Sequence, residues 1–272
     1  MDECKEVCLK LRQDIFKTVV NSKAGHLASS LSSVEILVSL YRNGVLKYDV
    51  DNPEWSFRDR FILSKGHAAL ALYHVLADVG YYTKEQVFTF CMEGTIFGGL
   101  ATYGKVPGIE MTSGSLGHGL SFAAGIAKAA KIKEEKFRVY VLLGDGELQE
   151  GEIWAAALYI AHNKLNNLTV IIDKNGIQAT GFNKNIINVD KLEDKWNSFG
   201  FDTVSIDGHN VDLLTRELKI QSEKPRVIIA NTVKGKGISF VENKEDWHYK
   251  MPTEKEIEKG LCELKMSRED LK

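Results

Sequence analysis

The chain has 272 residues, 44% hydrophobic and 26% charged, which excludes a disordered polypeptide, because such chains combine low hydrophobicity with high net charge. Thirty-five basic and 37 acidic residues leave a formal charge of −2, so neither nucleic acid nor a membrane surface is expected as the main partner. The longest uninterrupted apolar run, Ile153 to Ala161, is too short to cross a bilayer.

Val7, Leu11, Ile15 and Val19 recur at helical spacing and predict an N-terminal helix over residues 4–20. A turn at Gly25 follows, and Ser32 and Ser33 lead into a second helix at Val34–Val38. Arg60–Leu63 is a short apolar run ending at Ser64-Lys65-Gly66-His67, and the residues after His67 read as helix. Thr83 caps a further expected helix reaching Met92. Residues 94–114 are glycine-rich with weak periodicity, the mark of a long irregular loop, and such loops in compact domains tend to be functional. Leu116–Lys133 reads as helix, Phe137–Leu143 as a strand buried on both faces, and Glu150–Leu165 as helix. Strands at Leu168–Ile172, Thr203–Ile206 and Arg226–Asn231 flank a helix at Val211–Gln221, and a charged helical tail begins at Thr253. This alternation predicts an α/β fold, a parallel sheet with helices on both faces, in one domain over residues 1–272.

Four cysteines, Cys4, Cys8, Cys91 and Cys262, offer no second ligand pair to complete a zinc site, so reduced thiols and a cytoplasmic location are expected. The N-terminus has no apolar signal region behind a basic start.

Ligands of parallel α/β sheets sit beyond the carboxyl ends of the strands. Two strand exits carry chemistry here: Gly144-Asp145-Gly146 through Glu150, and Asp173-Lys174-Asn175-Gly176-Ile177. Glycines let backbone approach a ligand, and a helix starting at Glu150 would favour a phosphate. Asp145 would repel a diphosphate unless a divalent cation stood between them, and Mg²⁺ takes oxygen ligands of this kind. Asp145, the amide oxygen of Asn175 and the carbonyl of Ile177 form the candidate metal set. Gly-Asp-Gly alone would be only a tight turn, and it is the second exit thirty residues on that favours metal and diphosphate. No G-x-G-x-x-G or G-x-x-x-x-G-K-[ST] pattern is present.

The segment GDGELQEGEIWAAALYIAHNKLNNLTVIIDKNGIQATG resembles the thiamine-diphosphate motif of the transketolases. KAGHLASSLSSVEIL, FILSKGHAALALY, VPGIEMTSGSLGHGLSFAAGIA and NTVKGKGISF with its later Trp-His resemble further transketolase blocks in the same order, covering nearly the whole chain. The resemblance implies a thiamine-diphosphate-binding fold with Asp145, Asn175 and the Ile177 carbonyl as magnesium ligands. It implies Gly144 and Gly146 at the diphosphate, His67 and His248 along the diphosphate and substrate channel, and His26 moving protons at the substrate carbonyl. Gly114 and Leu116 would pack on the cofactor rings, and Glu150 would join a subunit-contact network. Without their motifs the three histidines would default to surface or capping roles. His74 and His162 are expected to be structural, His118 to pack, and His209 to be a loop residue.

The sequence departs from the family pattern at Leu100, where a donor-binding histidine is usual, and at Tyr249, where a glycine usually follows the histidine. Both departures, with Met251 beside the second, point away from the ordinary pentose phosphate donor. The family's second domain supplies a glutamate that activates the cofactor and basic residues that grip the sugar phosphate, and neither is expected here. The chain therefore resembles the N-terminal subunit of a split transketolase, transferring a two-carbon ketol unit between sugar phosphates in a heterotetramer with a C-terminal partner. The alternatives are a ketol transferase with an unusual donor and a regulatory subunit without catalytic activity.

Overall fold

Every residue from Val139 to Gly144 is buried, and successive side chains point into two different cores. Val139, Val141 and Leu143 face one apolar cluster, and Tyr140 and Leu142 face the other. In this computed structural model, which describes residues 2–272, the strands are β1 (Arg60–Leu63), β2 (Val139–Gly144), β3 (Leu168–Lys174), β4 (Ile177–Gln178), β5 (Gly181–Phe182), β6 (Asp202–Asp207) and β7 (Arg226–Asn231). Five of the described strands form one sheet in the order β1-β2-β3-β7-β6, and every pairing in it is parallel. β4 and β5 make a small antiparallel ribbon just after β3.

The helices are α1 (Asp2–Ser22), α2 (Leu27–Ser32), α3 (Val34–Tyr41), α4 (Ala69–Asp78), α5 (Lys84–Val87), α6 (His118–Ile132), α7 (Gly151–His162), α8 (Asn183–Ile186), α9 (Leu192–Phe199), α10 (Val211–Lys219) and α11 (Glu254–Glu263). One core packs α1 to α4, α10 and α11 against Tyr140, Leu142, Ile171 and Ile228. The other packs α6, α7 and α9 against Val139, Val141, Leu143, Val170, Ile172, Val227 and Ile229. Helices therefore cover both faces, as the alternating sequence predicts.

Several boundaries differ from the sequence reading for identifiable reasons. α5 has the expected Thr83 cap, a reciprocal capping box with Gln86, but ends at Val87. α2 is not foreseen because Ser29, Ser30 and Ser32 interrupt its apolar pattern; all six of its residues are buried. Gly146–Gln149 forms a 3₁₀ turn, so α7 begins at Gly151 and Glu150 is its N-cap rather than a helical residue. Within this chain α7 is buried along Ile153, Ala156, Ala157 and Ile160. α11 docks through Ile257 and Leu261, and Gly260 lies where a Cβ would come 2.5 Å from the Phe16 ring, so the C-terminal segment is part of the core. All four cysteines are free. No described helix is long and apolar enough to cross a membrane.

Candidate active site

The carboxyl ends of β2, β3 and β7 lie side by side, with Gly144 paired to Asp173 and Lys174 to Asn231. The two strand exits singled out in the sequence are therefore neighbours, and a third, after β7, joins them. Asp145 leaves β2 almost fully buried and accepts the backbone N–H groups of Gly146 at 2.9 Å and Gly176 at 2.6 Å. It has no ion-pair partner among the described residues. Burial pushes its carboxyl up to about 6, against the pull of the Gly176 N–H. Asn175 is half-buried, and its amide oxygen accepts the Ile177 N–H at 3.1 Å. The Ile177 carbonyl accepts from Lys234 Nζ at 2.9 Å. The buried Asn183 amide stands beside Asp145 and helps draw its carboxyl down, without a hydrogen bond of good geometry.

A buried carboxylate outside ion-pair distance of every described basic side chain, with an amide beside it, fits a site built to receive a cation with its anion. No cluster of three His, Cys, Asp or Glu side chains suited to a metal is present among the described residues. The set of one carboxylate, one amide and one carbonyl would thus depend on phosphate oxygens and water for its remaining ligands.

A cavity of about 340 Å³ lies beyond the end of β1, lined by His26, His67, His248, Leu100, Gly114, Leu116 and Tyr249, among others. The three imidazoles form a triangle with centroids 5.8, 5.2 and 5.5 Å apart. All three are held below the ordinary histidine range, His248 to about 4. Burial is the main cause in each, and Lys234 adds repulsion to each as well. They are neutral at pH 7 and able to accept or relay protons. His26 Nδ1 is buried without a partner, and the Tyr249 ring packs on His26 with centroids 4.8 Å apart.

Of the residues singled out in sequence, His26, His67, His248, Gly114 and Leu116 meet in this cavity; Gly144, Asp145, Gly146, Asn175 and Ile177 do not line it but stand at the two neighbouring strand exits, joined to it by Lys234, whose Nζ donates to the Ile177 carbonyl and lies 3.2 Å from His248 Nδ1. Glu150 does not join them: it is exposed and makes no side-chain cap. Leu100 lines the cavity and is 42% exposed, so it does not face the core. Met251 packs against the core instead. His74 is structural, 2.8 Å from Thr18 Oγ1, but His162 and His118 are exposed, the latter without the packing role expected.

Three buried ionisable residues escaped the sequence reading. Lys234 is 1% exposed and lowered to about 8, first by burial and then by Lys65. It lies 3.2 Å from His248 Nδ1 and has no carboxylate partner within ion-pair distance among the described residues. Its signal was a lysine between strand β7 and a glycine pair, at a strand exit like the other two. Lys65 pairs with Asp173, which also accepts from Ser32 at 2.7 Å and from Thr232. Burial alone would raise the Asp173 carboxyl, but Lys65 together with the Thr232 and Ser32 hydroxyls outweighs it and holds it low. Glu147 accepts the N–H groups of Gly117 at 2.9 Å and Gly144 at 3.0 Å, and the Ser64 hydroxyl, tying β1, β2 and the start of α6 together. The second buried carboxylate of the Gly144–Glu150 stretch, beside Asp145, is thus Glu147 and not Glu150.

Residues 5–269 match the family described as "Transketolase, thiamine diphosphate binding domain". The chain is 44% identical over 270 residues, 97% of its length and 96% of the relative's, to a protein of Actinobacillus succinogenes named as an apulose-4-phosphate transketolase subunit. It is 40% identical over 88% of each chain to a protein named as a 6-deoxy-6-sulfo-D-fructose transketolase subunit, from a Clostridium species. The crystal structure of transketolase from Campylobacter jejuni superposes with a TM-score of 0.91 at 28% identity, covering 98% of this chain and 43% of that one. A parallel sheet of this order with such strand exits belongs to the thiamine-diphosphate-binding class of α/β proteins. Within that class, the chain belongs to the transketolase family and spans its N-terminal, thiamine-diphosphate-binding part. It covers less than half of the single-chain transketolase it superposes on.

Proposed function

We propose that this chain, acting as one unit over residues 1–272, is the N-terminal subunit of a split transketolase that transfers a two-carbon ketol unit from a ketose phosphate to an aldose phosphate. The observation that carries the reading is the buried Asp145 beside Asn175, outside ion-pair distance of every described basic side chain and joined through Ile177 and Lys234 to a cavity walled by three neutral histidines. Full-length similarity to relatives named as transketolase subunits supports a separate partner chain.

When bound, thiamine diphosphate supplies a nucleophilic carbon and an electron sink for cleaving the bond beside a ketose carbonyl. Asp145, the Asn175 amide oxygen and the Ile177 carbonyl would hold Mg²⁺. The Ile177 carbonyl now accepts from Lys234, so that role would release the ammonium toward a phosphate. Gly144 and Gly146 allow close approach of the diphosphate, with His67 and His248 beside it. Gly114 and Leu116 would bear on the rings. His26, neutral and with one ring nitrogen unpartnered, suits proton movement at the substrate carbonyl. Glu150, exposed at the start of α7, suits contact with a partner rather than with the cofactor. The partner would contribute the activating glutamate and the sugar-phosphate grip, in a cytoplasmic heterotetramer.

Leu100 and Tyr249 present an aliphatic and an aromatic surface to the cavity where the family usually has histidine and glycine. With relatives named for apulose 4-phosphate and for 6-deoxy-6-sulfo-D-fructose, this favours a donor other than xylulose 5-phosphate.

The experiment is calorimetric titration of thiamine diphosphate in excess Mg²⁺. Asp145→Ala is expected to lose binding while its circular dichroism and melting stay those of a folded protein. Unchanged affinity in that variant would remove the reading.

A further inference from the structure

Lys234 reaches the site from a turn, Val233-Lys234-Gly235-Lys236, whose backbone is held on both sides of it. The Val233 N–H donates to His209 Nε2 at 2.8 Å. An amide can only donate, so Nε2 carries no proton and Nδ1–H donates to Glu35 Oε2, 2.9 Å away. Glu35 accepts two bonds from Arg12 Nη2, at 2.7 and 2.8 Å, and Arg12 Nε donates to the Lys236 carbonyl at 2.9 Å. The relay thus starts at the amide before Lys234 and ends at the carbonyl two residues after it. Its members come from α1, α3 and the turn between β6 and α10. The Gly235 N–H donates to the Ala28 carbonyl at 3.0 Å and closes the clamp from α2. Gly235 itself has φ +81°, and a Cβ there would lie 2.7 Å from the Val241 carbonyl oxygen, so only glycine fits at this point of the turn.

We propose that Arg12, Glu35 and His209 are positioning residues that clamp this turn and set where the Lys234 ammonium meets an anionic cofactor. The inference rests on the reading of Lys234 as a cation facing the diphosphate. A buried charged relay need not add net stability, because the desolvation of its ions offsets their attraction. A geometric role accounts for placing one behind this turn.

The test is the affinity of the full chain for thiamine diphosphate in saturating Mg²⁺, read by calorimetry. Lys234→Ala is expected to weaken binding. His209→Leu is expected to weaken it about tenfold, in the range that partners behind first ligands usually show. His209→Gln, which keeps one acceptor and one donor, is expected to recover part of that loss. In a Lys234→Ala background, His209→Leu should cost nothing further, because the group it positions is gone. Glu217→Gln, which breaks the buried Arg226–Glu217 pair at the other end of β7, should lower the melting temperature without changing affinity. Amide exchange gives a second readout: Val233 and Gly235 should lose protection in His209→Leu and regain some in His209→Gln.

The proposal fails if His209→Leu binds as wild type does while Lys234→Ala is weakened, or if the loss persists undiminished without Lys234. If Lys234→Ala leaves affinity intact while Asp145→Ala abolishes it, the reading of Lys234 fails and takes the clamp with it, although the metal site stands. Should His209→Leu not fold, Glu35→Gln and His209→Gln provide the same comparison.

Discussion

Leu100 shows how one side chain bears on specificity. Its carbonyl accepts from the Tyr73 hydroxyl at 3.1 Å, and its side chain lies close enough that a Cβ on Gly114 would meet it at 3.1 Å. The loop is thereby pinned, and the isobutyl group is presented to the cavity. An aliphatic group cannot replace a hydrogen bond to a sugar hydroxyl, and one such bond is worth on the order of 1–3 kcal/mol, or about one to two decades in kcat/KM. Leu100→His in the reconstituted enzyme should therefore raise kcat/KM for xylulose 5-phosphate by about tenfold or more. Steady-state kinetics check this, and equal efficiency of both forms would show that the position carries no donor information. Lys234, Lys65 and Glu147 mark the limit of reading single residues. A lysine or glutamate in a sequence looks solvent-exposed by default, and only the partners brought from distant strands reveal that these are buried.

At the scale of elements, the contact of α4 with α1 contains an acid-sensitive group. His74 is fully buried, and burial lowers it to about 4 from an ordinary 6.5. The Thr18 hydroxyl donates to the Asp14 carbonyl at 2.7 Å, so the 2.8 Å contact with His74 Nε2 has the ring as donor, leaving Nδ1 buried without a partner. Protonating Nδ1 would bury an unsatisfied charged donor. The folded form takes up its proton only below about pH 4, whereas the unfolded chain does so near 6.5. This contribution to stability is therefore complete above pH 6.5 and is lost as the pH falls through 4, by at most on the order of 3 kcal/mol. Urea denaturation at pH 7 and pH 4.5 should show His74→Leu losing less stability over that interval than wild type. Equal losses would mean that His74 is already charged in the folded protein or is not desolvated.

For the whole molecule, the outer side of α7 is one place where the fold leaves apolar side chains uncovered. Leu158 is 62% exposed and Tyr159 47%, with Phe122 of α6 also exposed. We propose this side of α7 as the contact with the C-terminal partner, since water-exposed leucine and aromatic side chains gain by being covered. Leu158→Glu with Tyr159→Lys should leave the melting temperature within a few degrees and the circular dichroism unchanged, while preventing association with a C-terminal transketolase subunit. Light scattering of the mixed wild-type chains is expected to give the mass of two copies of each. An undiminished complex from the double variant would place the interface elsewhere.

The class of fold was legible in the order of residues alone, because strands buried on both faces must be continuously apolar and the helices between them amphipathic, and this period survives any packing context. That Asp145 and Asn175 stand at neighbouring strand exits was legible from the two exits taken together, and the gathering of His26, His67 and His248 only from the family resemblance, which aligned their blocks. α2 and the shortened α5 were not, because buried serines and a single capping box do not set where a helix ends. It took the packed molecule to show that Glu147 is buried while Glu150 is exposed, that Asp173 is taken up by Lys65, and that Lys234 stands behind the Ile177 carbonyl. The relay through Arg12, Glu35 and His209 belongs with these, because its members are separated by up to 197 positions and no local pattern links them. Periodicity records what a residue does with its neighbours along the chain, whereas desolvation and ion pairing depend on which distant elements the packed sheet brings together.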